Sequence, residues 1–215
     1  MIADATIKSK SGRIILVPPP ERDDEAVAAM RTHPETRRHL PFFPEHFSLA
    51  DAAARRVERD ADPTMVVYNI HTLSATPDTP AGTFVGATAL THIQTDYRSC
   101  EAGILIAPAF FRTGMATEAL YMLLEHAFEE RKFHRVEFQT AVDNLAMRTW
   151  LMKAGATLEG TRRGYWCGVD ADGYTDVAMY GILEEEWLAT VKGRLEAQLN
   201  ASVSVVQTQT SESNT

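Results

Sequence analysis

Most of what this chain can be follows from the run Pro108-Ala109-Phe110-Phe111-Arg112-Thr113-Gly114-Met115-Ala116-Thr117-Glu118. The proline ends an apolar strand pattern over 100–107, a short loop follows, and the longest helical pattern of the chain opens at Gly114. Along 114–132, Ala116, Leu120, Leu123, Leu124, Ala127 and Phe128 form one apolar stripe, as a helix laid on a sheet requires. Main-chain N–H groups at such a helix start lack partners and sit at the positive end of the helix dipole, so they suit an anion. Gly114 and Ala116 keep bulk off the backbone there, and Arg112 offers a charge-assisted contact. A single glycine before a helix also has an ordinary structural explanation. The run lacks both the Gly-Lys-Ser/Thr of a Walker loop and the Gly-x-Gly-x-x-Gly spacing of a dinucleotide fingerprint.

Toward the C-terminus, 136–142 reads as a strand and 144–154 as a helix closed by Gly155. Strands follow over 157–169 and 174–183, joined by the turn Asp170-Ala171-Asp172-Gly173, and then a helix over 184–199. Toward the N-terminus lie strands at 65–73 and 83–93, separated by a loop over 74–80 that holds two prolines. Before them come helices over 21–32 and 48–60, the second with Ser48 as its N-cap and Asp51 three residues on. A first strand, Arg13 to Val17, is stopped by Pro18-Pro19-Pro20. Strand runs are interrupted by helices rather than strictly alternating with them. That order predicts an α+β (mixed α/β) fold with a mostly antiparallel sheet of about seven strands and helices on both faces. The crossover through the long helix makes strands 100–107 and 136–142 parallel. The expected organisation is an arm over 1–12, one domain over 13–183, a C-terminal helix over 184–200 and a disordered tail over 201–215.

The composition suits a globular domain: 215 residues, 45% hydrophobic and 23% charged. Subtracting 29 acidic from 21 basic residues gives a net charge of −8, which argues against a nucleic-acid backbone as partner. Cys100 and Cys167 form neither a disulfide framework nor a Cys-x-x-Cys metal spacing, so no metal site is expected. No apolar run is long enough for a membrane span and Met1 to Lys10 lacks a signal-peptide core, so the default expectation is a cytoplasmic protein.

Taken in order, a set of short motifs resembles the GNAT acetyltransferase superfamily, in the branch similar to ribosomal-protein alanine N-acetyltransferases. The resemblance runs from about Arg13 to Leu183 and is densest from Glu101 to Tyr180. It is carried by Glu101-Ala102-Gly103, by Phe111-Arg112-Thr113-Gly114-Met115-Ala116-Thr117-Glu118-Ala119, and by His134-Arg135-Val136. Further on it is carried by Asn144 with Arg148, Lys153-Ala154-Gly155, Glu159-Gly160 and Asp176-Val177. Arg112 stands where that branch has glycine, and Met147 where it has serine. Leu151 stands where other members place an acid tyrosine, so the general acid is unassigned.

The resemblance implies direct acetyl transfer in a ternary complex, from acetyl-CoA to a primary amine on a small molecule or a protein N-terminus. Arg112, Thr113, Gly114, Met115, Ala116 and Thr117 would hold the pyrophosphate, mostly through backbone N–H. Splaying of the 100–107 and 136–142 strands would expose an edge for the pantetheine arm at Ile104, Leu105 and Ile106, with Gly103 a plausible bulge site. A backbone amide near Leu105 would meet the developing oxyanion. Glu101 is the leading base, with His92 expected directly across the antiparallel pair; a purely structural carboxylate–histidine pair is the alternative. Asn144 would hydrogen-bond the pantetheine or cap its own helix, and Arg148 would face the phosphates or solvent. Phe42 and Phe43 on one wall, with Tyr165 and Trp166 on another, would bind the acceptor or simply pack. The acidic balance would steer a cationic acceptor. A catalytically impaired acetyl-CoA sensor or scaffold is the alternative function, and dimerisation through the 184–199 helix is a further expectation.

Overall fold

The computed structural model describes residues 5–73, 81–169 and 173–201. Its strands are β1 (Ile7–Lys8), β2 (Ile14–Val17), β3 (Val66–Leu73), β4 (Ala81–Gln94), β5 (Ser99–Ile106), β6 (Arg135–Ala141), β7 (Thr157–Cys167) and β8 (Tyr174–Leu183). They form one sheet in the order β1-β2-β3-β4-β5-β6-β8-β7, antiparallel throughout except for the β5/β6 pair. The eighth strand is β1, in the segment expected to be an arm. The chain turns back at Gly12, whose φ of +74° suits glycine, and Ile7 comes to lie opposite Leu16. A strand of two residues leaves no periodicity to detect.

The first helical segment opens as a 3₁₀ turn, Glu21–Asp23, and becomes α1 only at Asp24–Thr32. A short α2, Pro34–Arg37, follows with His33 accepting at its N-cap; the surrounding prolines hide it in the sequence. Helix α3, Leu49–Ala61, starts on a full capping box, Ser48 and Asp51 each satisfying the other's backbone N–H. Helix α4 is Met115–Glu125 and widens into a π turn at His126–Glu130. Helix α5, Leu145–Ala154, is capped by the Asn144 side chain and ended by left-handed Gly155. The last helix, α6, begins at Glu184–Glu186, passes through a π turn at Trp187–Val191, and continues over 192–201.

Helix α4 is apolar nearly all round because it is covered on both sides. Leu120, Leu123, Leu124 and Phe128 are fully buried, as are Trp187, Val191 and Leu195 of α6. The Trp187 ring stacks on Phe128 at 5.5 Å, and its indole N–H donates to Glu129 at 2.9 Å. The segment set apart as a C-terminal helix therefore spends its apolar face on the same core as residues 13–183. The loop expected over 74–80, most of the turn at 170–173 and the tail after Ala201 lie outside the described residues. Among those described, no helix is long and apolar enough to cross a membrane, and no group of three or more His, Cys, Asp or Glu is placed to hold a metal ion.

Candidate active site

Strands β5 and β6 pair only at Ser99–Arg135, Cys100–Val136 and Glu101–Glu137, although both run on for several residues. Beyond that point they part. The carbonyls of Glu101 and Gly103 accept from the Thr91 and Thr88 hydroxyls of β4, and Ala107 N–H donates to Val85, whereas the Arg98 carbonyl accepts from Arg135. Odd-numbered residues of β5 thus direct their backbone groups at β4, and even-numbered ones at β6. Past the divergence, the N–H and C=O groups of Ala102, Ile104 and Ile106 face an open gap. Leu105 spends its own N–H toward Ala87, its partner on β4, so a donor to a carbonyl in the gap is the N–H of Ile104 or Ile106. Gly103 pairs regularly with Ala89 and forms no bulge.

The bulge lies instead on β4. Thr91 is the residue opposite Glu101, so the expected His92–Glu101 register is off by one. His92 adopts φ +50°, and the ladder slips between Thr91 and Gln94. That kink swings the ring back, and His92 Nδ1 still lies 3.3 Å from Glu101 Oε2. Gln139 of β6 donates to the same oxygen at 2.8 Å. Burial raises the Glu101 pKa; His92 and the Gln139 hydrogen bond pull it down while nearby Glu137 pushes it up, and the net shift is upward. Sequence reasoning missed Gln139, which meets Glu101 only because the two strands start parallel.

The loop before α4 carries two left-handed residues, Arg112 at φ +63° and Gly114 at φ +82°. Thr113 Oγ1 donates to the Phe110 carbonyl and fixes the turn at 2.7 Å. The N–H groups of Arg112, Thr113, Gly114, Ala116 and Thr117 find no acceptor among the described residues, and Met115 N–H has only a 3.5 Å contact to Thr113. This is a cradle of main-chain donors on a helix N-terminus. Glu118, in the first turn of α4, is turned inward. It pairs with Arg13 through two donors at 2.9 and 2.7 Å and accepts from Ser11, tying β2 to the loop. The Thr117 hydroxyl accepts from Trp150 at 3.0 Å, a contact with no signal in the sequence.

On α5, Asn144 accepts from Met147 N–H at 3.2 Å, as a cap. Arg148 donates to the Val142 carbonyl at 2.8 Å and to Tyr180 at 3.3 Å, so two of its donors serve the α5–sheet junction rather than phosphates. Leu151 is fully buried and Met147 packs against the core, so neither position presents an acid. The two expected aromatic walls meet: Phe42 packs edge-on to Trp166 at 5.1 Å and to Phe43 at 5.3 Å. Phe43 is buried and lies under the Arg31 guanidinium, while Tyr165 is exposed beneath Arg162.

A gap between diverging strands, ending beside a helix-start anion cradle, defines a class of protein that grips an extended, phosphate-tailed thioester and works on its sulfur end. The chain belongs to the GNAT acetyltransferase family, whose domain model matches residues 13–157. It is 32% identical over 107 residues to "Putative ribosomal N-acetyltransferase YdaF" of Bacillus subtilis (strain 168), covering 49% of this chain and 57% of that protein. The chain thus aligns with little more than half of that relative's length. A crystal structure of an acetyltransferase from T. thermophilus is similar at 27% identity and TM-score 0.71, over 87% of this chain and 94% of that one. RimJ of Mycobacterium smegmatis, in complex with CoA-disulfide, shares the fold at 24% identity and TM-score 0.74, over 90% and 93% of the two chains. So does a spermidine N-acetyltransferase of Vibrio cholerae at 18% identity and TM-score 0.71, over 82% and 98%.

Proposed function

We propose that the protein transfers the acetyl group of acetyl-CoA to a primary amine, on a small molecule or a protein N-terminus, by direct attack in a ternary complex. The observation that carries this is Glu101 at the apex of the strand gap, buried enough to favour its neutral form and held by His92 and Gln139. The loop from Arg112 to Thr117 would hold the pyrophosphate through its free N–H groups. The edge of Ile104 and Ile106 would pair with the pantetheine amides, with Leu105 lining the opposite face of the strand. Bound there, acetyl-CoA supplies an activated acyl carbon and a thiolate leaving group.

An alkylammonium has a pKa near 10 and must lose a proton before it attacks. Glu101 takes that proton, with His92 as a relay toward solvent. A C–N bond forms, the C–S bond breaks, and the N–H of Ile104 or Ile106 donates to the carbonyl oxygen. The thiolate takes a proton from water, because a thiol with a pKa of about 8.5 needs no dedicated acid. Met147 and Leu151 therefore do not by themselves favour an inactive sensor. The test is release of free CoA thiol with a panel of amines, beside calorimetric titration of acetyl-CoA. Turnover with any amine supports the transferase; tight binding without turnover on all of them supports the sensor or scaffold. A homodimer belongs to the same proposal, read by the molar mass in solution from light scattering.

A further inference from the structure

Helices α1 and α3 lean over the face of β3, β4 and β5 opposite α4 and enclose a cleft of about 190 Å³. Its floor includes Ala87 and Leu105, so it opens beside the strand gap. Four arginines and two aspartates line it, a local balance of +2 in a chain of net charge −8. Arg56 is spoken for: it holds Asp24 through contacts of 2.9, 3.2 and 2.9 Å. Arg31, Arg55 and Arg59 have no carboxylate within ion-pair distance among the described residues. The remaining Asp60 is exposed at the rim.

Arg31 is only 6% exposed, and its Nε has no hydrogen-bond partner; the buried Nε of Arg55 has none either. The Arg31 guanidinium carbon lies 3.9 Å from the Phe43 ring centre and 4.8 Å from that of Phe47, which hold it in place without neutralising it. Burial and mutual repulsion push Arg31 down to about 9 and Arg59 to about 10. Unpaired buried guanidinium groups destabilise a fold unless something compensates them. Planar forks of N–H donors are matched to carboxylate and phosphate oxygens.

We infer that this cleft is the acceptor subsite, and that the acceptor is a small amine carrying its own carboxylate or phosphate, bound by Arg31, Arg55 and Arg59. This rests on the acetyltransferase reading above and narrows its substrate class. The anion makes no covalent change; it sets where the amine stands relative to the thioester. The cationic acceptor suggested by the whole-chain charge is disfavoured, because the cleft itself has the opposite sign. Leu105 joins the two sites: its side chain lines the cleft while its neighbours Ile104 and Ile106 line the gap.

The experiment has three arms. Calorimetry with acetyl-CoA on the wild type and on the Arg55→Gln/Arg59→Gln double variant should give equal Kd values; no binding to either would overturn the acetyltransferase reading and this one with it. Thiol release is then measured with matched amines, each as free carboxylate or phosphate and as its neutral ester or amide, with spermidine as a polycation. The anionic member should show at least a tenfold higher kcat/KM, through KM, and the double variant should abolish that preference. Equal rates for charged and neutral partners, or preference for spermidine, with acetyl-CoA binding intact, sinks this inference alone. So does a short acidic peptide outperforming the small anionic amines. Finally, inorganic phosphate should raise the Tm of the wild type and not of the double variant, whose own Tm in phosphate-free buffer should be no lower. Arg31→Gln is a second variant, expected to raise KM for the anionic acceptor in the same way.

Discussion

Gln139 donates to Glu101 across the point where β5 and β6 part, so one amide bridges the mouth of the gap. Its hydrogen bond favours the ionised carboxylate, against burial, which disfavours it. A base must be ionised to accept a proton, so activity should fall as pH drops through the raised Glu101 pKa. Glu101→Gln should lower kcat/KM by about 100-fold or more, the usual worth of a positioned base, and leave acetyl-CoA Kd unchanged. Gln139→Leu removes a contact that lowers the pKa, so the acidic limb of the kcat/KM profile should move to higher pH. A limb that stays put in Gln139→Leu would remove Glu101 from the role of base.

The strong local signals were legible in the sequence. The α4 stripe, the Ser48–Asp51 box and the Asn144 and Gly155 caps each depend on residues within a turn or two of one another. What escaped depends on distant packing. The His92 bulge needs a left-handed histidine, which no turn chemistry marks. Gln139 acquires a role only when a parallel pair diverges. Arg31, Arg55 and Arg59 look like a solvated helix face until α1 and α3 close over the sheet.

Gly114 and Arg112 share a left-handed backbone but differ in chemistry. A Cβ at Gly114 would meet only Arg13 Nη2, at 3.6 Å, so Gly114→Ala suffers from conformation rather than collision. That conformation costs about 1–2 kcal/mol for a residue with a Cβ, a Tm loss of about 2–8 °C in a domain of this size. CoA affinity should fall with it, because the helix start supplies the donors. Arg112→Gly should leave Tm unchanged or higher, since it relieves the same strain, while weakening CoA by the loss of one charge. Calorimetry and thermal melts on both variants separate backbone from charge; equal CoA affinity in all three proteins would remove the loop from phosphate binding.

Gly86 faces Leu105 across the β4–β5 ladder with no room to spare. A Cβ there would lie 2.1 Å from the Leu105 carbonyl oxygen and 3.0 Å from Ile106 Cα, both backbone atoms. Gly86→Ala must therefore push β5 toward the gap or open the ladder, an overpacking cost of about 1–3 kcal/mol. Gly103→Ala is the control, because nothing lies within 4 Å of its Cβ position. Thermal melts should show a loss for Gly86→Ala that Gly103→Ala does not share, and titration should show weaker acetyl-CoA binding for Gly86→Ala. Equal Tm values for the two variants would mean that the strands are not held this close.

His71 sits fully buried on β3 with an acceptor at each ring nitrogen: Asp23 lies 2.7 Å from Nε2 and the Gly82 carbonyl 3.0 Å from Nδ1. Two acceptors call for two N–H donors, which only the imidazolium provides. Burial opposes that charge and Arg22 repels it, but the Asp23 carboxylate and the Gly82 carbonyl outweigh both, so the pKa rises above 6.5. Asn69 donates to the same Asp23 oxygen at 2.7 Å, locking the 3₁₀ turn to the sheet. A raised histidine pKa stabilises the fold fully below the unfolded value near 6.5 and loses that contribution as pH climbs through the folded value. The Tm gap between wild type and His71→Gln should therefore be widest near pH 6 and narrow toward pH 9. Asp23→Asn, which removes the compensating carboxylate, should flatten the same dependence. A gap that stays constant or grows with pH would show that His71 is neutral in the folded protein and that the Asp23 contact is an ordinary neutral hydrogen bond.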